Sequence, residues 1–490
     1  MTNQQRISGV DTAWLRMEQP TNLMMIVGVM MLEGRVRAAD LERVLEARFL
    51  GGYPRFRQRA RVDATGAWWE TPARFRLRDH VHRVRLPGAA GKEELEALVS
   101  ELASTPLDAA RPLWDFHLVE NYAGGSALVA RIHHCYADGI ALVQVMLSLT
   151  HATAAGSLRL AGKASTPHPP DEEDFWSQLL APVTAALGNA PQAARSLLAQ
   201  GRGLAERPEA AAEAVQELAR KCGAFAAEVA RLLLMGPDAA TRFKGPLGTR
   251  KRAAWAEPLP LDQVKIVGKA LGCSINDVLV SMAAGALRDY LEEKGDPVDG
   301  LEIRAVVPVN LRPQGSGRGL GNQFGLVFLE LPIGIAHPLE RLYEVRRRML
   351  ALKGSYQPLI ALGLLSAIGY GPRALQDPVT ALLGGSASAV ITNVPGPQHP
   401  LFLAGRHITE LDFWVPQSGG IGVGVSILSY DGRIQFGIVT DAGLVPDPGR
   451  IVGRFGEEFA RLLWITLMSP WAEGDAAPPA AKASERLRKR

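Results

Sequence analysis

Two adjacent histidines, His133 and His134, with Asp138-Gly139 just beyond them, close an apolar run and are the side chains in this sequence best suited to chemistry. An imidazole exchanges protons near neutral pH, so it can take a proton from a hydroxyl and return it to a leaving group. Side chains at a strand end alternate in direction. His133 and His134 are therefore expected on opposite sides, one facing a substrate and the other holding structure. A metal pair of His134 with Asp138 would need both on one helix face, whereas they straddle a corner, so no metal is expected. Cys135 could act as a covalent acceptor, but as the neighbour of His134 on extended chain it is badly placed for activation, and packing suits it better.

That corner needs a strand before it and a helix after it. Residues 126–132 follow the turn signal Gly124-Gly125 and read as a buried strand; from Gly139 the apolar spacing becomes helical. Upstream, 24–32 reads as a strand, Asp40 as the cap of a helix carrying Leu41, Val44, Leu45 and Phe49, and 92–104 as a further helix. These alternations give an α/β unit over 1–155. Residues 156–250 turn to Ala, Arg, Glu and Leu, with amphipathic helices expected at 173–187 and 209–234; they read as a helical connector, or as an element lying on a lipid surface. Residues 251–468 return to α/β, with helices at 261–271, 275–293, 338–352 and 358–370. Strands are expected at 301–309, 325–331 and 387–392, a hairpin turning at Asp431-Gly432, and a last helix from about 448. Residues 469–490 read as a disordered tail. Two α/β halves of like size leave a cleft between them for substrates.

Composition narrows the class. The chain has 490 residues, 47% of them apolar, which is enough for two cores and a connector. Its 54 basic and 50 acidic residues leave a net charge of +4, with no basic-aromatic ladder, which argues against nucleic acid. Cys135, Cys222 and Cys273 form no paired framework, and Met1 to Arg6 begins no signal peptide, so a cytoplasmic protein is expected. The longest apolar stretch, near 359–370, falls short of the roughly 20 residues that span a bilayer. Any membrane contact would be peripheral.

Further motifs lie far from the histidines: Ser8-Gly9-Val10-Asp11-Thr12-Ala13-Trp14-Leu15, Pro112-Leu113-Trp114, Ser274-Ile275-Asn276-Asp277, Pro308-Val309-Asn310-Leu311-Arg312, Gly321-Asn322-Gln323-Phe324-Gly325 and Asn393-Val394-Pro395-Gly396-Pro397. With His133-His134 through Asp138-Gly139, which matches HHxxxDG, their order over about 8–465 resembles the bacterial wax ester synthase/diacylglycerol acyltransferase family of CoA-dependent acyltransferases. The resemblance implies an α/β (α+β) fold of two chloramphenicol-acetyltransferase-like domains with the active site at their interface. It also implies an O-acyltransferase whose substrates are acyl-CoA and a long-chain alcohol or diacylglycerol. Acyl-CoA is then a substrate and no cofactor is needed. Peripheral contact with a membrane or lipid-droplet surface goes with it. On this resemblance His134 is the general base, His133 supports it, and Asp138 pairs with Arg312 to hold the corner. Asn276 and Asp277 belong to the site, although Ser274-x-x-Asp277 is also nearly a capping box. Pro112, Leu113, Trp114, Gly139, Asn393, Pro395 and Gly396 shape the substrate channel. Two alternatives remain at this point: the same chemistry on another acceptor, or a lipid-droplet-binding protein without catalysis.

Overall fold

The computed structural model describes residues 5–63, 66–159, 227–311 except 229 and 233, 320–352, 355–370, 384–417 and 419–469. Most of the connector, including both of its expected helices except a few residues from 227 on, and the tail beyond 469 lie outside the described residues.

Two sheets carry the fold. The first has six strands in the spatial order Phe402–Leu403, Arg406–Trp414, Met25–Leu32, Ser126–His133, Trp114–Val119 and Val81–Val84. All its pairings are antiparallel except the last, which is parallel. Its two central strands alternate between two cores. Ile26, Met30 and Leu32, with Leu128, Ala130 and Ile132, face one; Met25, Val27, Val29 and Met31, with Ala127 and Val129, face the other. Both faces of the sheet are covered, which is why these strands read as unbroken apolar runs. Helix Lys92–Ser104 covers one face through Leu95, Val99 and Leu102, and helix Gly139–Ser148 the other through Ala141, Leu142 and Val145. Each such leucine or valine contributes about 1.5–3 kcal/mol on full burial.

The second sheet runs Phe324–Leu331, Ile303–Asn310, Ala389–Pro395, Val423–Tyr430, Arg433–Asp441 and Lys251–Trp255, with Leu259–Pro260 beside Arg433–Asp441. Ala389–Pro395 is parallel to both its neighbours and the other pairings are antiparallel. Helices Leu261–Leu271, Ile275–Glu293, Pro338–Ala351 and Gly449–Met468 bury their apolar faces on one side of it. The hairpin turns at Asp431-Gly432 with φ of 47° and 72°, the two positive values that a twist-matched two-residue turn requires.

The structure departs from the linear reading in several places, among them the strands Val81–Val84, Lys251–Trp255 and Phe402–Leu403. Arg406–Trp414 lies within 251–468, yet it pairs with Met25–Leu32 and so belongs to the first sheet. The division at 250 therefore follows the chain but not the sheets. Asp40 is not a cap: the helix Ala38–Val44 starts after Arg37, and Asp40 sits in its first turn as the partner of Arg37 and Arg43. A small sheet of Gln5–Arg6, Gly66–Glu70 and Arg59–Asp63 was not anticipated, because its short, charged strands carry little periodic signal. Among the described residues no single helix is long and apolar enough to cross a membrane; the bent pair Leu261–Leu271 and Ile275–Glu293 passes on length and composition together, but both helices pack into the C-terminal core.

Candidate active site

The strand Ser126–His133 ends on the histidine pair, and three backbone contacts fix where the chain turns. His133 N–H donates to Leu113 O (2.9 Å), His134 N–H donates to Met24 O (2.7 Å), and Asp138 Oδ1 accepts from Ala141 N–H (2.9 Å) as the N-cap of helix Gly139–Ser148. The two imidazoles then part. His133 Nδ1 accepts from Cys135 N–H (3.1 Å), which leaves Nε2 to carry the proton, 2.5 Å from Glu18 Oε2 but too poorly aligned for a hydrogen bond. His134 instead stacks on Trp14, with ring centroids 4.1 Å apart and planes 22° from parallel, and leans on Phe324 at 5.7 Å.

His134 is buried, and its Nδ1 has no hydrogen-bond partner among the described residues. Burial disfavours the charged ring and lowers its pKa to about 4, with the Asp138 carboxylate opposing the shift only in part. At neutral pH the imidazole is therefore uncharged and able to accept a proton.

Residues of the C-terminal half clamp this corner. Asn322 Nδ2 donates both to His134 O (2.8 Å) and to Asp11 Oδ1 (2.6 Å), and Asn322 N–H donates to the same Asp11 oxygen (3.2 Å). Gln323 N–H donates to Asp138 Oδ2 (3.1 Å). Asp11 is buried, and burial raises its pKa against the pull of these donors. Three sequence motifs more than a hundred residues apart, around Asp11, His134 and Asn322, thus meet in one hydrogen-bonded knot.

His134 opens onto an apolar cavity of about 1040 Å³, its open mouth included. Trp14, Asp138, Gly139, Ile140 and Phe413 line it on the N-terminal side; Val306, Phe324, Phe328, Leu365, Val390 and Asn393 line it on the C-terminal side. A space of this size with few polar groups suits a long hydrocarbon beside one reactive centre.

The remaining candidate residues divide between the cavity and its supports. Gly139 and Asn393 line it. Asn276 stands behind Asn393, whose Nδ2 donates to Asn276 Oδ1, so it acts on the cavity wall through that amide. Asp277 closes a capping box: its Oδ2 accepts from Ser274 N–H (2.8 Å) and its N–H donates to Ser274 Oγ (3.1 Å). Pro112, Leu113 and Trp114 do not line the cavity. Leu113 O anchors His133, and Trp114 is buried against Phe49 and Phe56, with Nε1 donating to Phe56 O (2.7 Å). Pro395 and Gly396 are also off the cavity; Gly396 passes so close to the neighbouring strand that a Cβ would come 2.4 Å from Ser429 O. Arg312 lies outside the described residues. Cys135 is fully buried, and burial pushes its thiol well up. One group with metal-ligand side chains, His82, Asp115 and His117, lies together among the described residues, but on the first sheet away from the cavity, where Arg131 holds Asp115 through bonds of 2.8 and 2.5 Å.

Asp11, Trp14, Asn322 and Phe324 lie within motifs legible in the chain, yet none of them stands out there as belonging to the histidine corner. A tryptophan and an asparagine embedded in otherwise ordinary strings carry no local signal of a shared histidine.

Comparison with known proteins decides the kinship. The wax ester synthase/diacylglycerol acyltransferase catalytic domain matches residues 7–279, and the C-terminal domain of the same family matches 320–463. The chain belongs to this family. It is an acyltransferase. A probable diacylglycerol O-acyltransferase of Mycobacterium tuberculosis is 28% identical over 424 residues, covering 84% of this chain and 85% of the relative. The solved wax ester synthase/diacylglycerol acyltransferase of Marinobacter aquaeolei VT8 superposes with a TM-score of 0.63 at 19% identity, covering 95% of this chain and all of the other. The first condensation domain of the CDA synthetase gives 0.55 at 16% identity, covering 96% and 97%. At such identities the structural likeness speaks for the fold alone: two chloramphenicol-acetyltransferase-like halves.

Proposed function

We propose that this acyltransferase moves a long-chain acyl group from acyl-CoA to the hydroxyl of a long-chain alcohol or of diacylglycerol, with His134 as the general base. One observation carries the reading: a neutral, buried imidazole opens onto a large cavity lined almost wholly by hydrocarbon. His134 takes the hydroxyl proton, the oxygen bonds to the thioester carbon, and the C–S bond then breaks. Because burial makes the protonated ring a strong acid, it readily gives the proton to the departing CoA sulfur. The negative charge on the thioester oxygen needs donors. Asn393, oriented by Asn276, and Trp14, whose buried Nε1–H has no partner among the described residues, are the groups at hand. His133 holds the corner, and Asp138, which also borders the cavity, caps the helix that follows it. The hydrocarbon character of both substrates also suits peripheral contact with a membrane or lipid-droplet surface.

The test is release of CoA thiol from palmitoyl-CoA with hexadecanol or dipalmitoylglycerol as acceptor and product identification by mass, with His134→Ala alongside. Removing the base is expected to slow turnover about 10²–10⁴-fold. Full activity in His134→Ala, or release indifferent to acceptor, refutes the proposal.

A further inference from the structure

The strand Arg406–Trp414 ties the two halves together, since it comes from the C-terminal half of the chain and pairs with Met25–Leu32 of the first sheet. Its side chains alternate between two faces. Leu411 and Phe413 face the core that helix Gly139–Ser148 covers, and Phe413, with Val415 and Pro416 just beyond the strand, forms part of the wall of the cavity at His134. Asp412 and Trp414 point the other way. There Trp414 meets Trp255 and Val439 of the second sheet.

On that side the chain lies along Arg433–Asp441 in a register that three contacts fix. Glu410 is within electrostatic reach of Arg433, a Cβ on Gly437 would come 2.8 Å from Trp414 Nε1, and Gln417 Nε2 donates to Val439 O (2.7 Å). The two segments therefore advance together, and Asp412 falls level with Gln435. Both are buried, at 5% and 1% exposure. Four polar atoms along this seam have no hydrogen-bond partner among the described residues: Asp412 Oδ2, Trp414 Nε1 and both amide atoms of Gln435. The surrounding charges do not favour a carboxylate at Asp412. Glu410 shares its face of the strand, and helix Lys92–Ser104 brings Glu96. Tyr122 also stands within reach of these acids and, through burial first, is pushed up to about 12. Lys92, the cation that opposes them, already pairs with Glu257 (2.9 Å). Burial, and after it Glu410, raises the Asp412 carboxyl to about 8.

We propose that Asp412 is a positioning residue for acyl transfer: as the neutral acid it lets Arg406–Trp414 seat against the second sheet and so sets the cavity wall at Phe413 and Val415, and on ionising it frees that wall. A neutral carboxyl tolerates burial beside an amide and an indole, whereas a carboxylate there must regain water or a cation. Either demand parts the two surfaces that enclose it. The neighbours of Asp412 on the strand are the wall itself, so the movement reaches the cavity without an intermediary. The link to turnover rests on reading the cavity as the substrate site; the movement of the strand does not.

The experiment is a titration of the full chain from pH 7 to pH 10, read by tryptophan fluorescence and by KM for palmitoyl-CoA in the CoA-release assay. Trp414 and Trp255, with ring centroids 5.8 Å apart, report on the seam. The wild type is expected to show a fluorescence step centred near pH 8 that is absent from Asp412→Asn, whose amide has the same shape and cannot ionise. Asp412 passes from about one-tenth ionised at pH 7 to about nine-tenths at pH 9, so KM should rise about tenfold with kcat little changed. Asp412→Asn should hold its KM within about twofold over the same range. Glu410→Gln removes the neighbouring carboxylate and should move the step to lower pH, which keeps the test decisive if Asp412→Asn does not fold. A wild type without the step, a step that Asp412→Asn retains, or one that Glu410→Gln leaves in place overturns the proposal. A step with KM unchanged refutes the positioning role. A step without CoA release from either acceptor retains the seam and refutes the lipid-transfer reading.

Discussion

The buried, neutral His134 makes a quantitative prediction about stability and pH. Its pKa falls from the ordinary 6.5 to about 4 because burial penalises the charged ring. A group with a depressed cationic pKa favours the folded state in its neutral form. Its contribution is therefore complete above pH 6.5 and is lost as pH falls toward 4. The gap of a little over two pH units sets a ceiling of about 3 kcal/mol. At pH 5 the unfolded imidazole is almost fully protonated and the folded one only slightly, so about 2 kcal/mol should disappear between pH 7 and pH 5 through this residue alone. Urea unfolding of wild type and His134→Gln at the two pH values isolates that amount, since every other group titrates in both proteins. The same pKa governs catalysis: the acid limb of kcat/KM in the free enzyme should lie near pH 4. Equal loss of stability in wild type and variant, or an acid limb at pH 6.5, would refute the reasoning.

Two further perturbations probe the surroundings of the base. Asn322→Ala removes the bonds to His134 O and Asp11 Oδ1 and leaves two buried acceptors short of a donor; we expect a loss of about 2–4 kcal/mol in urea unfolding. A turnover drop on the order of 10²-fold should accompany it, because the corner is no longer clamped; a variant with wild-type kcat would show the clamp to be dispensable. Cys135→Ala should keep most of the wild-type turnover in the CoA-release assay, since a thiol raised well above its usual pKa and buried beside the corner cannot serve as the acyl acceptor. Abolished turnover in a folded Cys135→Ala protein would reopen the covalent route.

Much of the fold was legible from periodicity. Helices Lys92–Ser104, Leu261–Leu271 and Ile275–Glu293 fall where apolar spacing put them, because each buries one continuous stripe. The hairpin at Asp431-Gly432 was legible from two residues, since few other pairs tolerate positive φ in succession. Arg406–Trp414 was missed. It lies between a two-residue strand and a loop, and its partner, Met25–Leu32, is nearly four hundred residues away in sequence. The channel residues show the same limit. Gly139 and Asn393 reach the cavity, whereas Trp114, an equally plausible candidate by type, turns into the N-terminal core.

The reacting chemistry and the family are legible in residue types and their order, which are local properties: HHxxxDG with its distant companion motifs survives as a string of letters. How that chemistry is tuned is set by the packing in three dimensions. Whether an imidazole is neutral depends on what excludes water from it, and here that is Trp14 and Phe324, from opposite halves of the chain. Whether its corner is rigid depends on Asn322 and Gln323 reaching across to His134 and Asp138. Desolvation and hydrogen bonding act over a few ångströms of space regardless of separation along the chain, so no spacing rule in the sequence could have supplied them.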